Sequence, residues 1–355
     1  MRKQIFLFLG TIAMVFFLGL SAKAAADEFY QGKTIRFVVG FAAGGGFDTY
    51  TRMIARHIGK HIPGNPDTVV ENMTGAGSLI AANYMYNRAE PDGLTIGNFI
   101  GPLVLQDAIG NKAAKFDGRK FGWLGVPTPD SGVCVLTKAS GISSLEEWFK
   151  AKEPVKLGGT APGSTTDDVP KLVREAIGLP IRMVEGYRGT ARIRVAAEAG
   201  ELAGGCWAWQ SIKATWTKAI ESGEVRPVLQ TMLESHPELK HVPLAINYAK
   251  TDEARELLKI VDGAYGTTAR PYSVPPGVPE ERLALLQKAF MATAKDPDLL
   301  AEAKKAKLEF NPVDGPTIAK VFADLYSLEE PTKAKLRDIV LPGKQPTAEK
   351  PRSAG

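Results

Sequence analysis

Residues 37–62 read FVVGFAAGGGFDTYTRMIARHIGKHI, and their first half is a continuous apolar run that stops at Gly44, Gly45 and Gly46. An apolar run bounded by glycines reads as a buried strand. After Asp48 the apolar positions Tyr50, Met53, Ile54 and Ile58 follow helical spacing, and Asp48 is placed to cap that helix. The three glycines between strand and helix have two readings. Glycine makes a tight turn without steric penalty. It also lets backbone N–H groups approach an anion at a helix N-terminus, where the macrodipole favours negative charge.

The junction recurs. DTVVENMTGAGSLIAANYMYN (67–87) places a strand at Val69 and Val70, a loop with Gly75 and Gly77, and a helix opening at Ser78. PDGLTIGNF (91–99) reads as a turn feeding a further strand. PVKLGGTAPGSTTDDVPKLVREAIG (154–178) puts a strand before Gly158 and Gly159, a loop through Thr160 to Ser164, and a helix with Val169, Leu172, Val173, Ala176 and Ile177 on one face. Pro170 is assigned to that helix's first turn, where proline is tolerated. GELAGGCWAWQSIK (200–213) supplies another strand ending at Trp207 and Trp209, and EERLALLQKAFMATA (280–294) another helix. Strands alternating with helices predict an α/β fold with largely parallel sheets, whose strand-to-helix junctions are where ligands bind. Ser164, Thr165 and Thr166 are equally consistent with helix capping, and the two tryptophans with core packing.

The N-terminus begins with two cations and an apolar run from Ile5 to Leu20, then reaches small residues through Ala26. That is the pattern of a cleaved secretory signal peptide, residues 1–26. The run is about 16 residues, short of the ~20 that span a bilayer. Removing Arg2, Lys3 and Lys23 lowers the formal charge from +5 to about +2, so the basic balance says little about nucleic acid. The remaining ~330 residues exceed one ordinary core and predict two lobes. Residues 343–355 are polar and read as a disordered tail. Cys134 and Cys206 each sit in an apolar strand-like stretch and read as two separate buried thiols, although an oxidising compartment would permit a bridge. His57 and His61, four apart, have no third ligand indicated, so neither a metal nor another cofactor is expected.

Enzyme motifs are missing at the informative positions. GTAPGSTT has Pro162-Gly163 before Ser164 where a phosphate loop needs a lysine, and AAGGGFD lacks the order of a dinucleotide fingerprint. No nucleophile elbow is present.

GKTIRFVVGFAAGGGFD (32–48), VVENMTGAGSLIAANYMYNRAEPDGLTI (69–96), GGTAPGSTTDD (158–168), VEGYRGTARIRVAAEAGELAGG (184–205) and ARPYSVPPGVPEERL (269–283) together resemble the periplasmic receptors of tripartite tricarboxylate transporters, also called Bug-type solute-binding proteins. The resemblance implies a two-lobed Venus-flytrap fold of the periplasmic-binding-protein type, with the ligand in the cleft between lobes. It implies a grip on a carboxylate by backbone N–H groups and small hydroxyls. Carried onto this chain, the site draws on Phe41, Ala43, Gly44, Gly45, Gly46, Phe47 and Asp48, on Gly77 and Ser78, and on Thr160, Ser164, Thr165, Thr166 and Asp167. Tyr187 and Gly189 stand at the Y-x-G positions, and Trp209 completes the set. Asp167 and Asp168 sit beside an anion loop and are expected to point away as helix caps.

The lobes implied are 27–127 with 229–342, and 128–228. The function implied is that of a non-enzymatic, monomeric periplasmic receptor for a small organic acid that docks on membrane permease subunits. Presentation of the ligand to a sensor kinase is the alternative.

Overall fold

The computed structural model describes residues 29–341, so the signal-peptide and tail assignments lie outside the described residues. The described residues pack into two units, one of 29–99, 120–128 and 270–318, the other of 100–119, 129–269 and 319–341.

In the first unit, strand β1 (Thr34–Val39) pairs in parallel with β2 (Asp67–Asn72) and β3 (Thr95–Asn98). Three more strands complete a six-stranded sheet: β4 (Gly122–Val126), β10 (Tyr272–Val274) and β11 (Val313–Asp314), in the order β11-β4-β10-β3-β1-β2. Those three pair antiparallel, so the sheet is mixed rather than largely parallel. The parallel half follows from strand-helix-strand crossovers. The antiparallel half comes from chain that returns from far along the sequence.

Helix α1 (Gly46–Ile58) buries Met53, Ile54 and Ile58 against Phe37, Tyr272, Leu286 and Phe290. Truncating one such buried aliphatic to alanine costs about 2–5 kcal/mol. Helix α2 (Leu79–Asn87) follows β2 and buries Ala81, Ala82 and Met85. His57 on α1 and His61 in the turn after it place their Nε2 atoms 2.9 Å from Glu302 and 2.8 Å from Asp296, so both rings are hydrogen-bonded to carboxylates.

The second unit holds five strands in the order β7-β6-β8-β5-β9: β5 (Gly132–Thr137), β6 (Val155–Gly158), β7 (Ile181–Val184), β8 (Gly204–Ala208) and β9 (Val225–Gln230). β6 is parallel to β7 and β8, and β5 is antiparallel to β8 and β9. Cys134 stands directly opposite Cys206, with Cα atoms 4.0 Å apart, and the two form a disulfide. This corrects the reading of two separate thiols. Nothing in the local sequence fixes which strands lie side by side, and the bridge depends on that alone.

After β6 comes helix α5 (Thr165–Ile177), which follows α3 (Pro102–Ala108) and α4 (Leu145–Phe149) in the chain. Pro170 lies inside α5, beyond its first turn, because the helix begins five residues earlier than the proline. Helix α6 (Thr190–Glu198) follows β7, and α7 (Trp209–Glu221) leaves β8. α8 (Asp252–Ile260) turns Ala254, Leu257 and Leu258 inward and packs on α5. Residues 100–119, 229–269 and 319–341 fall in the second unit, whereas the sequence reading assigned them to the first lobe. α9 (Glu280–Thr293), α10 (Pro297–Lys305), α11 (Gly315–Tyr326) and α12 (Glu330–Val340) complete the chain. Among the described residues, no helix is long and apolar enough to cross a membrane.

Candidate functional site

The first glycine loop is built around one carboxylate. Asp48, nearly fully buried, accepts the Gly44 N–H at 2.8 Å, Arg52 Nε at 2.9 Å and Asn72 Nδ2 at 2.9 Å. Asn72 Nδ2 also donates to the Phe41 carbonyl at 2.8 Å, and Arg52 Nη2 donates back to Asn72 Oδ1 at 3.0 Å. Asp48 therefore does not cap α1. Gly45 holds that position, and Asp48 reaches back from the first turn to hold the loop. Burial pushes its carboxyl up, but Arg52, the Gly44 N–H and Asn72 outweigh that and hold it below the usual carboxylate range.

Of the three glycines, only one is demanded by the backbone. Gly44 has φ +80° and lies in the left-handed region. Gly45 is extended, at φ −81° and ψ 170°, and a side chain there would touch nothing closer than the Ala42 carbonyl at 3.4 Å. A Cβ on Gly46 would meet nothing within 4 Å. Both glycines are exposed. Their lack of side chains clears space outside the protein rather than inside it. The first backbone bond of α1 runs from Thr49 N to Gly45 O, so the N–H groups of Gly46, Phe47 and Asp48 precede the helical ladder.

Phe47 is half-buried and packs against half-buried Phe41, ring centroids 4.3 Å apart and planes tilted by 36°. The guanidinium of Arg270, a residue only 7% exposed, lies over the rings of Phe47 and Tyr50 at 5.7 and 5.3 Å. Ala43 is exposed on the same loop. Close by, Ser78 is buried with φ +70°, and its Cβ stands 2.3 Å from where a side chain at position 40 would begin. Ala76, Gly77 and Ser78 all have positive φ, a run of left-handed residues that the loop after β2 must be held into.

In the second unit, the loop from Thr160 to Asp168 is laid out in a related way. Gly163, at φ +88°, donates its N–H to Asp168 at 3.0 Å, as Gly44 does to Asp48. Asp168 also accepts Tyr265 OH at 2.6 Å and Gln106 Nε2 at 3.4 Å. Burial pushes the Asp168 carboxyl up to about 8, against the opposing hydrogen bond from Tyr265. Asp167 is fully buried and pairs with Lys171 at 2.7 Å, which also pairs with Glu185 at 2.7 Å. Burial raises the Asp167 carboxyl as well, and Lys171 only partly opposes it.

Neither aspartate is a cap. Ser164 occupies that position, and both carboxylates fold inward instead of pointing away. Thr160 Oγ1 lies 2.7 Å from Ser164 Oγ and 2.9 Å from Thr166 Oγ1, so three of the expected hydroxyls form one cluster at the start of α5. Thr165, the first residue of α5, is half-buried beside them.

Tyr187 is half-buried, and its N–H donates to the Gly159 carbonyl at 3.2 Å, which ties it to the same loop. Trp209 differs from expectation. It is 4% exposed, belongs to the second unit's core with Trp207, Trp216 and Ile212, and donates Nε1–H to Glu238 at 2.8 Å. It is the first residue of α7, just past the end of β8, and its ring turns into the core.

Sequence reasoning did not find Arg52, Arg270, Gln106 or Tyr265. Arg52 was findable, since Asp48 and Arg52 are an i, i+4 pair of opposite charge. Among the described residues, no group of three or more His, Cys, Asp and Glu side chains could hold a metal ion.

No protein-family model matches the chain. A UPF0065 protein of Cupriavidus necator, encoded in the gbd 5′ region, is 38% identical over 172 residues, which cover 44% of this chain and 48% of that protein. The chain thus matches about half the length of its curated relatives.

Three solved structures share the fold. A TctC solute-binding protein from Polaromonas superposes with a TM-score of 0.64 at 18% identity, over 87% of this chain and 99% of its own. MatC from Rhodopseudomonas palustris with bound malate gives 0.63 at 20% identity, over 87% and 99%. A further R. palustris protein with adipate gives 0.65 at 20% identity, over 87% and 98%. The chain has the α/β fold of the TctC-type periplasmic solute-binding proteins and, over about half its length, resembles the UPF0065 proteins in sequence.

Proposed function

We propose that the protein is a periplasmic solute receptor, not an enzyme, that binds a small organic acid by its carboxylate and delivers it to the membrane permease of a tripartite tricarboxylate-type transporter. The observation that carries this reading is the open space at Gly45 and Gly46, which neither the backbone nor the packing requires. A carboxylate there would accept the N–H groups that precede the α1 ladder, in the favourable field of the helix N-terminus. Charge-assisted bonds of this kind contribute about 1.5–3 kcal/mol each. The hydroxyl cluster of Thr160, Ser164 and Thr166 offers a second set of small polar groups on a loop of similar construction.

Two features answer the objection that acidic residues flank both loops. Asp48 is paired with the Arg52 cation and hydrogen-bonded by Asn72, and Asp168 is held near neutrality by burial. The malate and adipate in proteins of the same fold support an acid as the ligand class.

Calorimetric titration of the refolded chain, lacking residues 1–26, with adipate, malate, glutamate and benzoate tests the proposal, with adipamide as the neutral control. Micromolar binding of one or more acids and none of adipamide is expected. Binding of adipamide but of no acid would overturn it.

A further inference from the structure

The first glycine loop carries an aromatic pair where a solvent-facing loop has no packing need for one. Phe41 and Phe47 bracket the exposed residues 42–46, and each residue stays partly exposed although the tilted rings touch with centroids 4.3 Å apart. Phe47 is held from a third side. Arg270 lies over it at 5.7 Å and over Tyr50 at 5.3 Å, and Tyr50 is itself anchored through its hydroxyl to the Glu309 carbonyl at 3.0 Å. A buried guanidinium over an aromatic face is a desolvated cation–π contact, which fixes the ring in place more strongly than an exposed one. The result is a rigid aromatic wall beside the clearing at Gly45 and Gly46.

Aromatic rings differ from aliphatic surfaces in having a negative face and a positive edge, so they favour offset or edge-on contact with another ring beyond what apolar area alone provides. From this wall we infer that the acid is an aryl carboxylate, its carboxylate at the N–H groups of Gly46 and Phe47 and its ring against Phe41 and Phe47. The inference rests on the receptor reading and adds the chemical class of the ligand body. Malonate-like or short hydroxy acids leave both rings without a partner.

Benzoate and cyclohexanecarboxylate have nearly the same size and charge and differ in the ring's electrons, so their comparison isolates the aromatic term. Titration of wild-type protein with both, and with adipate, should give benzoate about 3- to 10-fold tighter than cyclohexanecarboxylate. Phe47→Leu keeps apolar volume and should bring the two within about 2-fold.

Equal affinities for the two cyclic acids in the wild type, or a preference that survives Phe47→Leu, would overturn the inference. So would binding of adipate with silence from benzoate, and in that case the receptor reading stands. Silence from every acid would overturn both. The wild-type comparison decides the matter even if the variant does not fold.

Discussion

The backbone N–H of Gly163 donates to the buried carboxylate of Asp168 at 3.0 Å, and among the described residues no cation contacts that carboxylate directly. The equivalent bond in the first unit, Gly44 to Asp48, has Arg52 beside it. One loop is therefore held by an ion pair and the other by a carboxyl whose pKa burial raises to about 8. Between the ordinary carboxylate value near 4 and about 8, the folded chain holds a proton there that the unfolded chain has lost. Stability therefore falls as pH rises through that window. The melting temperature should drop by the order of a few °C from pH 5.5 to pH 8.5. Asp168→Asn should flatten part of this slope, and an unchanged slope would show that the proton resides elsewhere.

Arg52→Gln leaves Asp48 buried with one neutral partner in place of its cation. The cost should be about 1–3 kcal/mol in urea denaturation, since a buried charge loses its main compensation. Acid binding should weaken too, because the negative charge of Asp48 then faces the loop less screened. Wild-type affinity for adipate in this variant would show that Asp48 exerts no field on the ligand.

Gly46→Ala separates the two roles of glycine. The added methyl meets nothing in the protein, and alanine is the better helix former, so stability should rise by about 0.5–1 kcal/mol. Acid affinity should fall at the same time. A more stable protein with unchanged affinity would mean that the clearing holds no ligand.

Asp296 caps α10, accepting N–H bonds from Asp298 at 2.9 Å and Leu299 at 3.2 Å, and also pairs with Lys60 and His61 of the segment after α1. Asp296→Ala should cost about 2 kcal/mol, most of it from the cap. Lys60→Met should cost less than Asp296→Ala, since that ammonium lies at the exposed surface. Equal losses would assign the stability to the ion pair instead.

The parallel core of the first unit was legible because its signals are local. Phe37 to Val39 form an unbroken apolar run, the glycines mark its end, and Met53, Ile54 and Ile58 recur at helical spacing. The glycine loops were legible for the same reason.

What stayed hidden depends on residues distant in sequence. Tyr265 lies 97 residues from the carboxylate it binds, and Arg270 comes to Phe47 only because β10 enters the sheet beside β3. Trp209 was misplaced because composition cannot tell which way a ring turns at a strand's end. The Asp48, Asp167 and Asp168 roles were misassigned because an acidic residue in a first turn can cap the helix or reach back to the loop, and the two look alike in sequence.

The bridge between Cys134 and Cys206 joins residues that face each other across two antiparallel strands. A slip of one residue would turn the two sulfurs to opposite faces of the sheet. Within the folded sheet the closed bond is therefore compatible only with the native alignment of β5 and β8. Reduction should cost about 2–4 kcal/mol for a span of 72 residues. Its larger effect is on memory: a chain unfolded with the bond intact restarts with the central pairing of its second sheet already chosen.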